Sequence, residues 1–467
     1  MVDKTALAEQ AQYAMREFPY RFPEMGKLQR GKVRDNYLTD DRIVSIATDR
    51  VSAFDRVMSR PIPLKGEVLT RIAKYHFDRT SDIVPNHAIS NPDPNVLVVR
   101  RLKPFEVEFI IRGYITGSAW KDYAAGARQK SGIPLPDGLR KNQRFEPPII
   151  TNTTKAKEGH DLDISQQEIL ERKLLTPDQL KETERVMQAL YKRGVEIALE
   201  RNLNLVDTKY EMGIDEQGRI HLIDEVHTPD SSRYWTEADK YEERFARGEE
   251  QRELSKEFLR IWLKERNFTG EPNQPTPDLP LDVIVETAAR YQELCETVTG
   301  EKLIYSSAPV ADRIRDNLIK NGVITGGHVQ IIAGSEGDKE HYEAIRNHLK
   351  KLGVPSGVEI LSAHKQTRQL LGFLDEMSKS DEPVVYIAVA GRSNALGAVV
   401  AAPANNPRGF PTINCPPFKD LSAYAVDIHS SLRLPSKIPA VTVLEPENAA
   451  IAARDILKLA GAKFKPA

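Results

Sequence analysis

Val329–Lys365 reads VQIIAGSEGDKEHYEAIRNHLKKLGVPSGVEILSAHK, and its rhythm decides the class of fold around it. VQIIAG is a short unbroken apolar run, HYEAIRNHLKKLG repeats apolar residues at helical spacing, and VEILSAH returns to a strand pattern. Unbroken apolar strands alternating with amphipathic helices belong to parallel sheets covered on both faces. The alternation continues through RQLLGFLDEMSK, VVYIAVAG, PTINCPP and NAAIAARDILKLAG. It predicts a doubly wound, three-layer α/β domain over 327–467.

Upstream the rhythm is different. Between Gln29 and Val57 the strings GKVRDNYL, TDD and RIVSIATD alternate short β-type runs with polar turns, which predicts antiparallel sheet. A second β-rich run spans Val96–Ile115, and helix patterns cover Ser165–Arg201 and Ala238–Arg266. In TPDQLKETE, Thr176 and Asp178 are the expected caps. This region is expected to be α+β in two lobes, over 1–305. The Pro-rich GEPNQPTPDLPLD (Gly270–Asp282) looks like a boundary, but VIVETAARYQELCETVTG behind it has a helical pattern suited to packing back on the first region. The main junction is therefore expected at 306–326.

Composition narrows the functional classes. The 467 residues are 40% hydrophobic and 28% charged, a globular balance. Lys plus Arg number 66 against 67 Asp plus Glu, so no overall charge draws the chain to nucleic acid or an anionic membrane. The longest apolar run, Val384–Ala390, is far too short to cross a bilayer, and MVDKTALAEQ carries no secretory signal. The two cysteines, Cys295 and Cys415, lack metal-ligand spacing, and a reducing cytoplasm is the expected compartment.

Ligands of open parallel sheets bind beyond the carboxyl ends of the strands. Three polar clusters fall there: Gly334-Ser335-Glu336-Gly337-Asp338, Ser362-Ala363-His364-Lys365 and Gly391-Arg392-Ser393-Asn394. The first opens a helix, so its N–H groups and Ser335 suit a phosphate. His364 can move a proton near neutral pH, and Lys365 and Arg392 can pair with phosphate or carboxylate. There is no Walker-type loop and no G-x-G-x-x-G, hence no sign of a nucleoside triphosphate in this half.

In the first half, LVDTKYEMGIDEQGRIHLIDEV (Leu205–Val226) alternates on both sides of a turn and predicts a hairpin. With Glu216-Gln217 at the tip, Lys209 faces Asp224, while Asp207 and Glu211 share its face. Three carboxylates around one lysine suit Mg²⁺ and nucleotide phosphates. Other strings suit anionic substrates: Arg112 and Ser118 in IIRGYITGSAWKDY, Asp230, Ser231, Ser232 and Arg233 in TPDSSR, and Lys155, His160 and Asp161 in TKAKEGHDLD. Lys32, in RGKVRD, precedes a hairpin that could cover a triphosphate.

The C-terminal string GSEGD…SAHK…AVAGRSNALG…INCPP…SSLRLPS…PENAA resembles the phosphoribosylaminoimidazole carboxylase family, in the class that uses carbon dioxide directly. The resemblance implies a flavodoxin-like fold, with Ser335 and Asp338 at the ribose phosphate and His364 as the acid/base at the imidazole carbon. It places Ser362 and Lys365 among the substrate contacts, with Arg392, Ser393 and Asn394 lining the phosphate and carboxylate pocket. Gly337 stands where the family has a second serine, and Gln366-Thr367-Arg368 lacks its usual proline. RGYITGSAWK and LIDEVHTPDSSRYW, within Gln29–Gly300, are similar to phosphoribosylaminoimidazole-succinocarboxamide synthase. That family has a two-lobed fold distantly like protein kinases and joins a carboxylated aminoimidazole ribotide to L-aspartate with ATP. The resemblance implies Lys32 on ATP phosphates and Glu211 and Asp224 on Mg²⁺, with Asp207 also in the nucleotide site. Lys209 would neutralise phosphate charge; Arg112, Ser118, Ser231 and Arg233 would hold the ribotide, with Lys155 and Asp161 near the substrates. The product of the second site would be the substrate of the first. Aminoimidazole ribotide, carbon dioxide and L-aspartate are thus the implied small-molecule partners, without biotin, flavin, nucleic acid or membrane. A homo-oligomer, an octamer by analogy, is implied.

Two other readings stay open. A kinase-like phosphotransferase fits the acidic hairpin, although H-R-D-x-x-x-x-N and D-F-G are missing. A catalytically silent C-terminal assembly domain behind an active ligase fits the departures at Gly337 and Gln366.

Overall fold

The computed structural model describes residues 2–20, 22–155, 162–271, 273–379, 382–391, 393–418 and 421–464. Its contacts divide the chain into two compact units, one of residues 1–18 and 28–310, the other of 19–27 and 311–467.

The first unit holds two large sheets and two two-stranded ones. A five-stranded sheet runs in the order Lys27–Arg30, Arg34–Leu38, Arg42–Ala47, Val96–Arg100, Ala88–Asp93. Its hairpins alternate buried and half-buried residues, as Tyr37, Val44 and Ile46 show. The second sheet has seven strands centred on Val107–Tyr114 and the twelve-residue Leu203–Ile214, with Arg144–Thr154 and Ile220–Ile223 outside them. Ser232–Thr236 also pairs with Leu203–Ile214. The long helix Pro177–Leu199 covers this sheet. It begins as its sequence demands: Thr176 accepts from the Gln179 N–H at 3.2 Å, Gln179 returns the bond at 2.9 Å, and Pro177 needs no donor. The helix pattern over Ala238–Arg266 forms two helices, Tyr241–Arg247 and Glu257–Lys264, parted where Gly248 takes φ +70°.

Leu281–Thr299 does pack back on the first region. It buries Ile284, Ala288, Tyr291 and Leu294 beside Leu69, Ile72 and Phe77 of helix Lys65–Arg79 in one core. The segment expected as a linker contains the helix Val310–Lys320, which belongs to the second unit. Residues 19–27 belong there as well. Glu24 accepts from the Thr325 N–H at 2.7 Å and its hydroxyl at 2.9 Å, and Tyr20 Oη accepts from Arg315 at 3.0 Å.

The rest of the second unit is a five-stranded parallel sheet in the order Ser356–Ile360, His328–Ala333, Val384–Val389, Thr412–Asn414, Ala440–Thr442. This is the flavodoxin-like 2-1-3-4-5 order. Period-two alternation divides the central strands between two cores. Val329, Ile331, Val385 and Ile387 meet helices Lys339–Lys351 and Pro446–Leu459 on one face. Ile332, Tyr386 and Ala388 meet Thr367–Ser378 and Ala395–Ala401 on the other. The result is three layers. No described helix is long and apolar enough to cross a membrane.

Candidate functional site

The central feature of the first unit is a chain of charges along two paired strands. Asp207 sits opposite Arg112, and Lys209 opposite Ile110. The Arg112 guanidinium donates to Asp207 at 3.2 Å and to Thr151 Oγ1 at 3.0 Å. Arg233, from the neighbouring strand, donates to the same Asp207 oxygen at 2.5 Å. Burial lowers the pKa of Arg112, with Asp207 opposing. Burial also works against the Arg233 charge, but Asp207 and Glu257 outweigh it and raise its pKa. Gly117, at φ +56°, is required here, because a Cβ would run into the Arg233 guanidinium. Next to it Ser118 opens the helix Gly117–Ala124, whose first N–H groups suit an anion.

Lys209 donates to Glu108 at 2.7 Å and to Glu211 at 2.9 Å. Burial opposes its charge, yet the two carboxylates raise its pKa. Glu211 also takes Lys155, and against burial these two lysines pull its carboxyl well below the ordinary range. Asp224 follows the strand with φ +63° and accepts from Arg34 at 2.5 Å, while Arg34 reaches Glu225 at 2.7 Å. Burial, aided by Glu211 and Glu225 and opposed by Arg34, pushes Asp224 up to about 6.

Two expectations change on this geometry. The hairpin register is shifted by one: Glu211 opposes Ile223 and Ile214 opposes Ile220, so Lys209 does not face Asp224 across the strands. The turn is longer than two residues, because Asp215 accepts from the Gln217 and Arg219 N–H groups and Gly218 adopts φ +75°. Second, the carboxylates touching Lys209 are Glu108 and Glu211, while Asp207 serves the two arginines. Glu108 and Arg34 were missed. Both lay in quoted or adjoining strings, Glu108 as the lone acid in the apolar strand VEFII.

A cavity of about 210 Å³ gathers Arg112, Ser118, Asp207, Lys209, Ser231 and Arg233, with Ser255 and Arg260 unforeseen. Asp230 also lines it and is fixed from behind by Lys65 at 2.8 Å, Lys256 at 3.5 Å and the Tyr291 hydroxyl at 2.6 Å. Its charge is kept against burial by those lysines. Lys32 is exposed, donating to Asp55 at 2.7 Å, in a turn whose carbonyls at Gly31, Lys32 and Arg34 are gathered by Arg50. Lys155 lies beside Glu211. His160 and Asp161 lie outside the described residues.

In the second unit, Gly334, Leu361 and Ala390 leave neighbouring strands at one level, since Ala333 pairs with both Ile360 and Val389. Ser335 caps its turn by accepting from the Gly337 N–H at 3.0 Å, and Asp338 precedes the helix Lys339–Lys351. Ser362 accepts from the Lys365 N–H at 3.2 Å, and Gln366 Oε1 accepts from the Ser362 N–H at 3.1 Å. His364, Lys365 and Ser393 are exposed, and no hydrogen bond holds the His364 ring among the described residues. Asn394 is buried, donates to Ser431 at 3.0 Å and caps the next helix through Gly397 N–H at 2.9 Å. Arg392 lies outside the described residues.

Among the described residues no group of three or more His, Cys, Asp or Glu is placed to hold a metal. Mg²⁺ asks for less, because one or two carboxylates plus substrate phosphates complete its shell. Asp224 and Glu211 fit that demand: burial and the Glu211 charge both oppose ionisation of Asp224, which a divalent cation would relieve.

Residues 27–276 match a family model described as SAICAR synthetase, and 328–466 one described as AIR carboxylase. A phosphoribosylaminoimidazole-succinocarboxamide synthase of Azobacteroides pseudotrichonymphae is 49% identical over 301 residues, 64% of this chain and 93% of that protein. Its counterpart in Bacteroides thetaiotaomicron is 47% identical over 309 residues, 66% of this chain and 98% of the relative. Among solved structures, a SAICAR synthase of Saccharomyces cerevisiae complexed with SAICAR is 35% identical, with a TM-score of 0.52, and covers 60% of this chain and 96% of its own.

Proposed function

Because the chain belongs to the SAICAR synthetase family and joins that ligase to an AIR carboxylase domain, we propose that its two sites run consecutive steps of purine ring assembly. The chain is a bifunctional enzyme, ligase in its first half and carboxylase in its second. The observation that carries the residue assignment is the cavity that brings Arg112, Ser118, Lys209, Ser231 and Arg233 together.

In the ligase, Arg112 and Arg233 with Ser118 and Ser231 hold the ribotide's phosphate and carboxylate. The carboxylate attacks the terminal phosphorus of ATP, forming an acyl phosphate as ADP leaves. The aspartate amine then attacks the acyl carbon, inorganic phosphate departs, and the amine proton is released. Lys209, fully charged between Glu108 and Glu211, sits where phosphate charge must be neutralised, and Lys32 meets the triphosphate from its turn. Glu211 and Asp224 would hold Mg²⁺, which supplies further charge neutralisation at the phosphates when bound. Lys155 beside Glu211, and Asp161, serve the substrates; Asp207 fixes the two arginines.

In the carboxylase, the ring carbon of aminoimidazole ribotide adds to carbon dioxide and loses its proton to His364. Ser335, Asp338, Ser362, Lys365, Arg392, Ser393 and Asn394 bind the ribotide. The ligase lies in the unit of residues 1–18 and 28–310 and the carboxylase in that of 19–27 and 311–467, and the protein works in the cytoplasm as a homo-oligomer. The test mixes the purified protein with aminoimidazole ribotide, bicarbonate, L-aspartate and MgATP. The succinocarboxamide ribotide, identified by mass, is expected. Product only when the carboxylated ribotide is supplied would support the assembly-domain reading instead.

A further inference from the structure

A second hollow, of about 300 Å³, lies one residue along the strand that carries Arg112. Gly113 and Tyr114 border it, together with Arg144–Pro148, Asn204 and Leu205, and Tyr191, Val195 and Leu199 from the long helix. Tyr114, Phe145, Tyr191 and Leu205 are buried, so the inner wall is aromatic and apolar. Asn204 is only 4% exposed, and its Nδ2 has no partner, while its Oδ1 lies 3.4 Å from Tyr114 Oη. Turning the amide over only exchanges its ends, so one end is unpaired in either orientation. A buried polar end without a partner, on a residue that lines a hollow of this size, suits a ligand's polar atom. At the mouth Arg144 is exposed, donates to Tyr114 Oη at 3.2 Å, and lies 5.5 Å and 5.3 Å from the Tyr114 and Tyr241 ring centres.

We propose that this hollow binds a heteroaromatic ring carrying an acidic group. The ring packs against Tyr114, Tyr191 and Val195, a ring acceptor meets the Asn204 amide, and the acid meets the Arg144 fork. Carboxylate and phosphate both suit a guanidinium, so the shared chemistry is a planar ring with an anion at one edge. Glu146, exposed at the same mouth, disfavours a second anionic group on the ligand.

The experiment is calorimetric titration of the full chain, without ATP or ribotide, using nicotinate and inosine 5′-monophosphate as probes. Binding of at least one probe at about 1 mM or tighter is expected. A response to nicotinate that Arg144→Ala weakens assigns the site to carboxylates, and a response to the nucleotide that Arg144→Ala weakens assigns it to phosphates, since neither ribotide site contains Arg144. Arg144→Ala and Asn204→Leu should each weaken that binding about tenfold or more. Arg144 is exposed, so its loss leaves the fold intact, and leucine fills the asparagine volume. Absence of binding by both probes, or wild-type affinity in either variant, overturns the proposal.

Discussion

In the first unit every charged side chain bordering the reaction cavity leans on another charge: Arg112 and Arg233 on Asp207, Lys209 on Glu108 and Glu211, Asp230 on Lys65, Arg260 on Glu257. In the second unit His364 and Lys365 stand exposed on a turn, and what is fixed is backbone, through Ser335, Ser362 and Gln366. Strands carry Arg112, Asp207, Lys209 and Arg233, with helices supplying Arg260 and Lys65, so one side chain cannot move without unpairing another. Loops at strand ends carry the second, where no hydrogen bond among the described residues holds the His364 ring. The first arrangement suits a reaction that must hold several anions together. The second suits one proton transfer beside one phosphate.

The contrast breaks most sharply at the ligase. Asp224→Asn and Lys209→Ala should each cut ATP-dependent ligation by about 10³-fold or more, with carboxylation retained. Near-normal ligation in either variant would remove these residues from the phosphate site, while loss of both activities would indicate misfolding. At the other site, His364→Asn should lower carboxylation about 10²–10⁴-fold. Because no described partner holds the ring, its thermal unfolding should match the wild type, and ligation of supplied carboxylated ribotide should persist. A variant that still carboxylates would mean the proton goes elsewhere.

A smaller effect concerns acid. Burial lowers His87 and His227 of the first unit to about 3, below the roughly 6.5 of an exposed histidine. Their folded forms stay neutral while the unfolded chain takes up protons. The stability they contribute is complete above about pH 6.5 and declines as pH falls toward 3, by about 1.4 kcal/mol per pH unit for each. Denaturant unfolding of the first unit should weaken between about pH 7 and pH 5, and less so in His87→Phe. Equal slopes in the two proteins would exclude His87 as a contributor. Smallest of all, Glu24→Ala should cost the second unit about 1–3 kcal/mol, since the Thr325 N–H loses its acceptor and its hydroxyl keeps only the Gly327 carbonyl. An unchanged melting of that unit would show the Pro19–Lys27 segment to be dispensable for it.

The parallel sheet was readable because its strands are short apolar blocks and its polar clusters fall at their ends. The edge strand Ala440–Thr442 escaped notice, being only half-buried and three residues long. In the first unit the residues proposed for substrate were readable as strings, but their partners were not. Glu108, Arg34 and Lys65 meet Lys209, Asp224 and Asp230 only through pairings of distant segments. The hairpin was located correctly and its register missed by one residue. Asp215 and Gly218 build a longer turn, and a single residue in the turn exchanges which positions oppose.

Pro19–Lys27 joins the second unit although the chain on either side of it belongs to the first. Its partners Asp312, Arg315 and Thr325 are made some three hundred residues later. At about 5–20 residues per second, a growing chain holds Tyr20 and Glu24 without their partners for tens of seconds. What the ribosome makes among the first is thus among the last to be fastened, and the second unit draws on two widely separated stretches of message.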